Sequence, residues 1–399
     1  MNMIIKNARI YTMAKAQSEE NGIIENGFVK ISDGIIKEVG DMSGFTADSS
    51  DGDVGEIIDA DGKWLLPGFI DAHTHLGMYE DGLRSEGDDL NEVTDPSTPH
   101  IRAIDAINPI DRCFKEALAA GITTVATGPG SANPIGGQGT VIQTYGRRID
   151  DMIIKAPASV KFALGENPKN CYGGKNEMPE TRMATAAIIR ENLQKAKKYW
   201  EKKNESMQPD SETDEPDFDA KSEAFERVLN GEICAHFHAH RADDIFTAVR
   251  ICKEFELKYV LIHCTEGHLI APELAKEGVN AIIGPIISDR SKPELRNLEL
   301  RNGKTLHDAG VMFAICTDHP VTPIQYLPYC AALTVKGGLD FYEALRAITI
   351  NPAVILGIDD IVGSIEAGKR ADLVLYDGNP LEIFSNATMV VAGGEKICL

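Results

Sequence analysis

Several features that mark secreted, membrane-spanning or nucleic-acid-binding proteins are missing from this sequence of 399 residues. The eight cysteines include no Cys-x-x-Cys pair, which argues against a disulfide framework or a structural zinc site and favours reduced thiols. No apolar run approaches the roughly 20 residues that a membrane-spanning helix needs, and residues 1–10 alternate like a strand instead of forming a signal peptide. Positive charge is scarce, and the net charge of −21 argues against nucleic acid and anionic membranes as partners. We therefore expect a globular protein of the cytoplasm.

The spacing of apolar residues changes twice along the chain. Residues 1–65 have the pattern of short strands, with a tight-hairpin signal at Ser32-Asp33-Gly34. From Leu66 onward, strands such as residues 122–127 alternate with helices, which predicts parallel β/α units. Near Asp359 the short strands return. The pattern predicts an α/β protein in which residues 66–358 form one domain, inserted into a small β-domain built from residues 1–65 and 359–399.

One segment interrupts the α/β pattern. Residues 200–220 are polar and rich in Glu, Asp, Lys and Ser. We interpret this segment as a solvent-exposed insertion before the fifth strand of the larger domain.

Two histidines end the first strand of the larger domain. His73 and His75 follow a short apolar run, and positions i and i+2 of a strand project from the same face. Their imidazoles therefore converge at the strand end, and neutral imidazole is a common ligand of zinc and similar metals. The pair alone is a weak signal, and its interpretation depends on residues further along the chain.

Further metal-ligand residues end later strands in the same way. They are His236, His238 and His240 after one apolar run, His263 after the next, and Asp318 after residues 311–317. Ligand-type residues at the carboxyl ends of several strands are typical of a (β/α)8 barrel active site. The sequence therefore predicts a metal site at one end of a distorted (β/α)8 TIM barrel.

Two motifs carry a resemblance to a known family. Residues 67–75 (PGFIDAHTH) resemble the strand-1 signature of the amidohydrolase superfamily, and the later His, His and Asp follow the order it uses on strands 5, 6 and 8. Residues 363–374 (GSIEAGKRADLV) resemble its return into a small β-sandwich formed by both termini. The resemblance covers nearly the whole chain and is strongest with the imidazolonepropionase-related branch. It implies a metal-dependent hydrolase.

The resemblance also implies roles for individual residues. His73, His75 and Asp318 would hold one divalent ion, and Asp318 would be the catalytic general base and acid. His238 and His263 would hold a second ion; with one ion only, one of them would complete its shell and the other would contact substrate. We expect zinc first, with manganese and iron as alternatives.

His238 is chosen from three histidines because residues 238–244 (HAHRADD) resemble the strand-5 end of this branch, where the first His aligns with the ligand position. His240 would then contact substrate or support a ligand, and His236 would be a core histidine.

A bridging carboxylate between two ions has two candidates. Lys161 lies inside the fourth apolar strand, where carboxylation would make it a bridge, and Glu166 lies at the strand end and needs no modification. We favour Glu166 because residues at strand ends reach the metals.

Substrate-binding residues are expected near the same strand ends. The glycine-rich residues 136–139, which include Gln138, offer backbone amides that would cradle an anion. The complete set of candidates is His240, Arg241, His268, Gln138, Asn167 and His319.

Two classes of function fit these features. The first is hydrolysis of a C–N bond in a small-molecule substrate by metal-activated hydroxide: a cyclic amide, an N-acyl or dipeptide bond, or an amino-heterocycle. The second is a non-catalytic assembly protein on the same scaffold, but such proteins tend to lose the ligands that this chain keeps. Either class of function is compatible with a homo-oligomer.

Overall fold

The protein is described by a computed structural model over residues 2–14, 22–46 and 55–397. The strands in this part of the chain are β1 (Met3–Tyr11), β2 (Ile23–Ser32), β3 (Ile35–Asp41), β4 (Glu56–Asp59), β5 (Trp64–Pro67), β6 (Phe69–Thr74), β7 (Ile122–Thr127), β8 (Ile135–Gln143), β9 (Ile153–Ala163), β10 (Cys234–Ala239), β11 (Tyr259–His263), β12 (Asn280–Ile283), β13 (Phe313–Ile315), β14 (Leu373–Tyr376), β15 (Ala387–Ala392) and β16 (Glu395–Ile397).

The α-helices are α1 (Arg112–Ala119), α2 (Ile149–Met152), α3 (Glu166–Gly173), α4 (Arg182–Ser206), α5 (Ala220–Ala224), α6 (Glu226–Leu229), α7 (Ala242–Glu254), α8 (Ala271–Glu277), α9 (Asn302–Asp308), α10 (Leu327–Lys336), α11 (Phe341–Arg346) and α12 (Ile350–Leu356). None of the helices in the described ranges has the length and apolar character required to cross a membrane.

Both ends of the chain contribute to one sheet. Its strand order is β16-β15-β14-β5-β1-β2-β3, with β4 paired to β1. The two ends meet where β14 pairs antiparallel with β5, at Leu373 and Pro67. The predicted hairpin joins β2 to β3 through Asp33 and Gly34, whose φ angles of 54° and 73° suit a turn that continues the strand twist. Buried aliphatic side chains from both ends share one core, and the predicted β-sandwich is confirmed.

The other eight strands form a nearly closed barrel in the order β6 to β13. Backbone hydrogen bonds from Asp318 N to His73 O (3.2 Å) and from His75 N to His319 O (2.9 Å) join the segment that follows its last strand to the end of its first. The predicted distorted (β/α)8 barrel is confirmed. The barrel is distorted at β8, which runs antiparallel to both β7 and β9.

The glycine-rich segment 136–139, expected near a strand end, lies inside β8. The Gln138 amide is not available to an anion there, because Gln138 N donates to Ile101 O at 2.8 Å. Gly137 permits this contact, since a Cβ there would lie 2.5 Å from Ile101 O. The glycines therefore serve a close approach of two backbones.

The chain passes from the terminal sheet into the barrel near Gly68. Leu66 and Pro67 still pair with β14, and the barrel begins at Phe69. The polar segment 200–220 is partly helical, since α4 continues to Ser206. Trp200 Nε1 donates to Ser222 O at 3.0 Å, and Lys203 forms an ion pair with Glu223. These two contacts hold this end of the helix against α5. Residues 207–219 contain no helix or strand.

The alternation of β10 separates its histidines from its aromatic residue. His236 and His238 share one face, and Phe237 lies on the other. Phe237 is fully buried and stacks on Phe162 of β9 with ring centroids 4.7 Å apart. This pair joins the two strands on the face away from the histidines.

We expect Phe237→Ala to lower the free energy of unfolding by about 3–5 kcal/mol, because it removes a buried ring and leaves a cavity. Urea unfolding followed by circular dichroism measures the change. The matched control is Phe218→Ala, since Phe218 is 79% exposed and its loss should change stability by less than about 0.5 kcal/mol. Equal unfolding curves for the two variants would contradict this packing.

Candidate metal centre

The first group of potential ligands joins both ends of the barrel sheet. His73 Nε2 and His75 Nε2 lie 3.4 and 3.3 Å from Asp318 Oδ1. Two ligands about 2.1 Å from one zinc ion at tetrahedral angles are about 3.4 Å apart. His263 belongs to this group too, because ligand atoms of His73, His263 and Asp318 all lie within 4.8 Å of one another. The spacing fits one bound ion.

A second group of imidazoles lies beside the first. Ligand atoms of His238, His240 and His263 also lie within 4.8 Å of one another, so His263 belongs to both groups. The His240 and His263 rings stack with centroids 4.5 Å apart, and all three side chains are buried. Burial lowers the pKa of His238 and His240 well below its usual value, and it lowers the pKa of His263 to about 4 although the Asp318 carboxylate acts in the opposite direction. Neutral imidazole, the form that binds metals, is therefore favoured.

Backbone carbonyls orient two of these rings. Nδ1 of His75 lies 2.7 Å from Gly128 O, and Nδ1 of His263 lies 2.7 Å from Gly284 O. Because a carbonyl only accepts, each Nδ1 carries the proton and each Nε2 keeps a lone pair for a metal. His240 Nδ1 is held by Thr265 Oγ1 at 2.8 Å.

Asp318 and His263 have unusual backbone conformations, with φ of 54° and 71°. Non-glycine residues with positive φ carry roughly 1–3 kcal/mol of strain and concentrate at functional sites. Burial raises the pKa of Asp318, but the facing His263 and His75 outweigh it, so the pKa lies below its usual value. The carboxylate is therefore ionised at neutral pH.

Asp71 braces this arrangement, and sequence reasoning did not single it out. Its fully buried carboxylate accepts hydrogen bonds from Thr317 Oγ1 (2.6 Å), Thr317 N (3.1 Å) and His73 N (3.2 Å). Burial raises the pKa of Asp71 to about 7. These bonds fix His73 relative to the residue before Asp318. The sequence feature that could have identified Asp71 is a carboxylate inside an apolar strand, two residues before the potential ligand His73.

The two candidates for a bridging carboxylate lie in different places. Lys161 is buried in β9, and its Nζ donates to His73 Nε2 at 3.1 Å. Burial lowers the pKa of Lys161 to about 8. Glu166 lies in the first turn of α3 and is absent from both ligand groups found among the described residues. The geometry thus favours Lys161 over the residue preferred from sequence.

The candidate substrate residues are divided between the site and its surroundings. His240 lies among the ligands, whereas Arg241 points its guanidinium at Asp243 (2.9 and 2.8 Å). Asn167 donates to Ser131 Oγ at 2.8 Å, and Gln138 donates to Pro99 O at 3.3 Å. The side-chain amides of Asn167 and Gln138 are therefore both engaged by other parts of the chain.

Two further candidates keep a buried ring nitrogen without a hydrogen-bond partner in the described structure: Nδ1 of His268 and Nε2 of His319. His319 Nδ1 accepts from Ile324 N at 3.2 Å, so its Nε2 carries the proton and is a donor. His319 is thus a buried donor beside Asp318.

His236 lies apart from both ligand groups found in the described residues. It lines a cavity of about 20 Å³ together with His73 and Lys161. That volume holds about one water molecule, so His236 belongs to the barrel interior beneath the ligands, as the sequence analysis expected.

One carboxylate at the site was missed entirely. Glu294, in the 3-10 turn Pro293–Leu295 after β12, has a fully buried side chain. Its Oε1 lies 3.5 Å from His240 Nε2 and 3.9 Å from His238 Nε2. The turn has no periodic pattern that would have marked Glu294 as a site residue. The only nearby sequence feature that pointed to it was the charged Lys292, two residues earlier.

The residues present fit a bound cation. His238 Nε2 is buried and has no hydrogen-bond partner in the described structure, whereas the buried Glu294 Oε1 is paired with Lys292 Nζ at 2.7 Å. Buried polar atoms without a partner are costly, and nitrogen and carboxylate donors are the ligands that zinc takes in catalytic sites.

The chain matches the family model described as "Amidohydrolase family" over residues 64–395. A solved structure, an amidohydrolase from Thermotoga maritima MSB8, is similar with a TM-score of 0.92 and 39% identity, covering 99% of each chain. An imidazolonepropionase from Geobacillus sp. (strain WCH70) is 26% identical, covering 92% of this chain and 87% of that protein.

A longer relative, the amidohydrolase TasK of Hapsidospora irregularis, is 30% identical over 82% of this chain. The matched region is only 36% of TasK, so the chain spans about a third of that protein.

We expect Asp71→Ala to lower the free energy of unfolding by about 3 kcal/mol, because three buried donors lose their acceptor. Asp71→Asn keeps one acceptor oxygen and should lose less. Urea unfolding measures both, and Asp217→Ala, at an exposed carboxylate, is the control. Equal stability of Asp71→Ala and the control would contradict the bracing role.

Proposed function

We propose that this chain, which belongs to the amidohydrolase family, is a metal-dependent hydrolase that cleaves a C–N bond of a small molecule. The family membership confirms the expected hydrolase of C–N bonds. The observation that carries the proposal is the ionised Asp318 carboxylate, which lies 3.3–3.4 Å from the imidazoles of His73 and His75. An assembly protein would have no need for such a buried and strained group.

His73, His75 and Asp318 would hold the first ion, with His263 adjacent. The nitrogen and carboxylate set suits zinc, with manganese or iron as alternatives. A divalent ion at this place supplies Lewis acidity and lowers the pKa of a bound water.

Asp318 then moves the proton. Its Oδ1 faces His73 and His75, and its side chain is 14% exposed, so it can reach a substrate from the barrel mouth. We propose that Asp318 accepts a proton from the attacking water and delivers it to the leaving nitrogen. His319 Nε2, a proton-bearing donor beside it, would bind the oxygen of the substrate carbonyl.

The surroundings support a small substrate. A cavity of about 470 Å³ is lined by residues that include Met78, Arg102 and Pro129 but by none of the potential metal ligands. Met78 N donates to His75 O, and Pro129 follows the carbonyl that orients His75. This volume is typical of small-molecule sites. The similarity to an imidazolonepropionase favours a cyclic amide or related heterocycle, with N-acyl, dipeptide and amino-heterocycle substrates as alternatives.

We expect Asp318→Asn to lower kcat by at least about 10²–10⁴-fold, because the amide keeps the size of the side chain but cannot accept the proton. A screen of lactams, N-acyl amino acids, dipeptides and amino-heterocycles identifies the substrate first. Metal content is the control: retained metal assigns the loss to proton transfer, and lost metal assigns it to coordination. Full metal with near-normal turnover would show that another group is the base.

Lys161 and Glu166 are distinguished by metal content. We expect Lys161→Gln to reduce bound metal, because Lys161 contacts His73, and Glu166→Gln to leave it unchanged. A lysine with a pKa of about 8 is partly neutral at neutral pH and can react with CO₂ to form a carbamate. Added bicarbonate should therefore raise the metal content of the unsubstituted protein but not of Lys161→Gln. The reverse pattern would favour Glu166.

A further inference from the structure

We propose that two copies of this chain associate through a two-fold contact, in which an exposed apolar tip of each copy enters a groove of the other. The apolar tip consists of Ile383 and Phe384, which lie between β14 and β15 and are 75% and 91% exposed. Isolated apolar side chains are common on protein surfaces, whereas an apolar patch next to a groove marks an interaction site. The proposal does not depend on the chemistry proposed for the barrel.

A groove with a volume of about 400 Å³ lies next to the apolar tip. Aromatic rings and prolines form much of its lining: Tyr326, Tyr329, Tyr376, Pro328 and Pro380. Tyr329 Oη donates to Ile383 O at 3.4 Å, which places the tip at the edge of this groove. Sites of about 300–1,000 Å³ accommodate small molecules, so an aromatic side chain fits. Because Phe384 is so exposed, it does not fill the groove of its own chain.

Local hydrogen bonds hold the apolar tip in its exposed position. Asn386 N donates to Asp377 Oδ1 at 2.7 Å, and Ser385 N donates to Glu382 O at 3.1 Å. The second bond closes a turn around the tip. A segment that is already ordered loses less conformational entropy when it binds.

The groove is also formed in the single chain. Tyr376 Oη donates to Ala120 O at 2.9 Å, which ties β14 to the end of α1. Tyr326 belongs to the 3-10 turn Ile324–Tyr326, and Ile324 N donates to His319 Nδ1 at 3.2 Å. These bonds attach two parts of the groove wall to the barrel before any partner binds.

The distribution of charge favours this face for contact between two copies. Because each copy carries a net charge of −21, two copies repel each other over much of their surfaces. The groove, as the described residues form it, has one charged side chain in its lining, Glu116, and Arg112 pairs with it at 2.5 Å. Residues 380–387 contain one charged residue, Glu382. A basic partner would be attracted to more acidic surfaces, so this face suits an equally acidic chain.

Two-fold symmetry uses the tip and the groove of each copy at once. Because the two features lie side by side, a two-fold rotation places each tip over the groove of the other copy, the self-complementary contact of most soluble dimers. One aromatic side chain buries only about 150–250 Å², whereas a standard interface buries about 800 Å² on each partner. Two tips together with the walls of two grooves approach that size.

The test is sedimentation velocity of the full-length protein over a range of concentrations. We expect the unsubstituted protein to form a dimer. Phe384→Ser should weaken its association at least about 30-fold, the effect of losing an aromatic side chain at the centre of an interface. The matched control is Phe218→Ser, because Phe218 is 79% exposed but lies in the segment 207–219; it should leave the association unchanged.

A second variant tests the groove. Ala119 is an exposed residue of the groove wall, so Ala119→Trp should block the groove, leave the tip intact and weaken the association as Phe384→Ser does. A mixture of the two variants regains one contact, since the tip of the Ala119→Trp protein meets the open groove of the Phe384→Ser protein. The mixture should therefore associate more strongly than either variant alone.

Three results would overturn the proposal. The first is a monomeric unsubstituted protein at concentrations up to about 100 μM, and the second is a dimer that Phe384→Ser leaves unchanged. The third is a mixture that associates no more strongly than the separate variants. Circular dichroism checks the folding of each variant, and Ala119→Arg replaces Ala119→Trp in the same experiment if the tryptophan disturbs the fold.

Discussion

The mutual burial of imidazoles and carboxylates at one end of the barrel is the constraint on which the site depends. Five histidines and two acidic groups meet there, and four of these histidines are held neutral by burial and by their neighbours. Neutral rings with lone pairs facing one another repel carboxylates unless a cation lies between them. The barrel end therefore favours positive charge among these groups, and Lys161 and Lys292 supply part of it.

Holding such a cluster together takes support from outside the cluster. Gly128 O and Gly284 O set the tautomers of two rings, and both carbonyls lie in the loops that follow barrel strands. Asp71 joins the strand of His73 to the segment of Asp318 through Thr317. Left-handed backbone at His263 and Asp318 adds strain that these bonds must offset. The cluster is thus supported by backbone carbonyls and by the hydrogen bonds of Asp71. Little of this support depends on the identity of the substrate.

The sequence revealed the parts of the site that follow strand periodicity. His73, His263 and Asp318 end apolar runs, so their common edge could be predicted from the alternation of strands and helices. Glu294 lies in a short 3-10 turn, and no pattern in its own neighbourhood distinguishes a buried carboxylate from an exposed one. The choice between Lys161 and Glu166 could not be made from sequence for a related reason: depth along a strand depends on where the strand ends, and β9 extends through Ala163. The antiparallel β8 was hidden because its glycines have the composition of a loop.

The terminal β-sandwich is directly connected to the strand that carries the first residues of this site. Strand β5 of the sandwich continues into β6 of the barrel after only Gly68, whose N donates to Asp372 O at 2.8 Å. A Cβ on Gly68 would lie 2.2 Å from Thr123 Oγ1, so the chain passes closely between the two sheets. Four residues after the start of β6 comes His73. The register of His73 and His75 is therefore set from one side by the sandwich and from the other by Asp71. The domain formed by both termini thus helps to position the candidate metal centre, although it lies behind the barrel strand that carries these histidines.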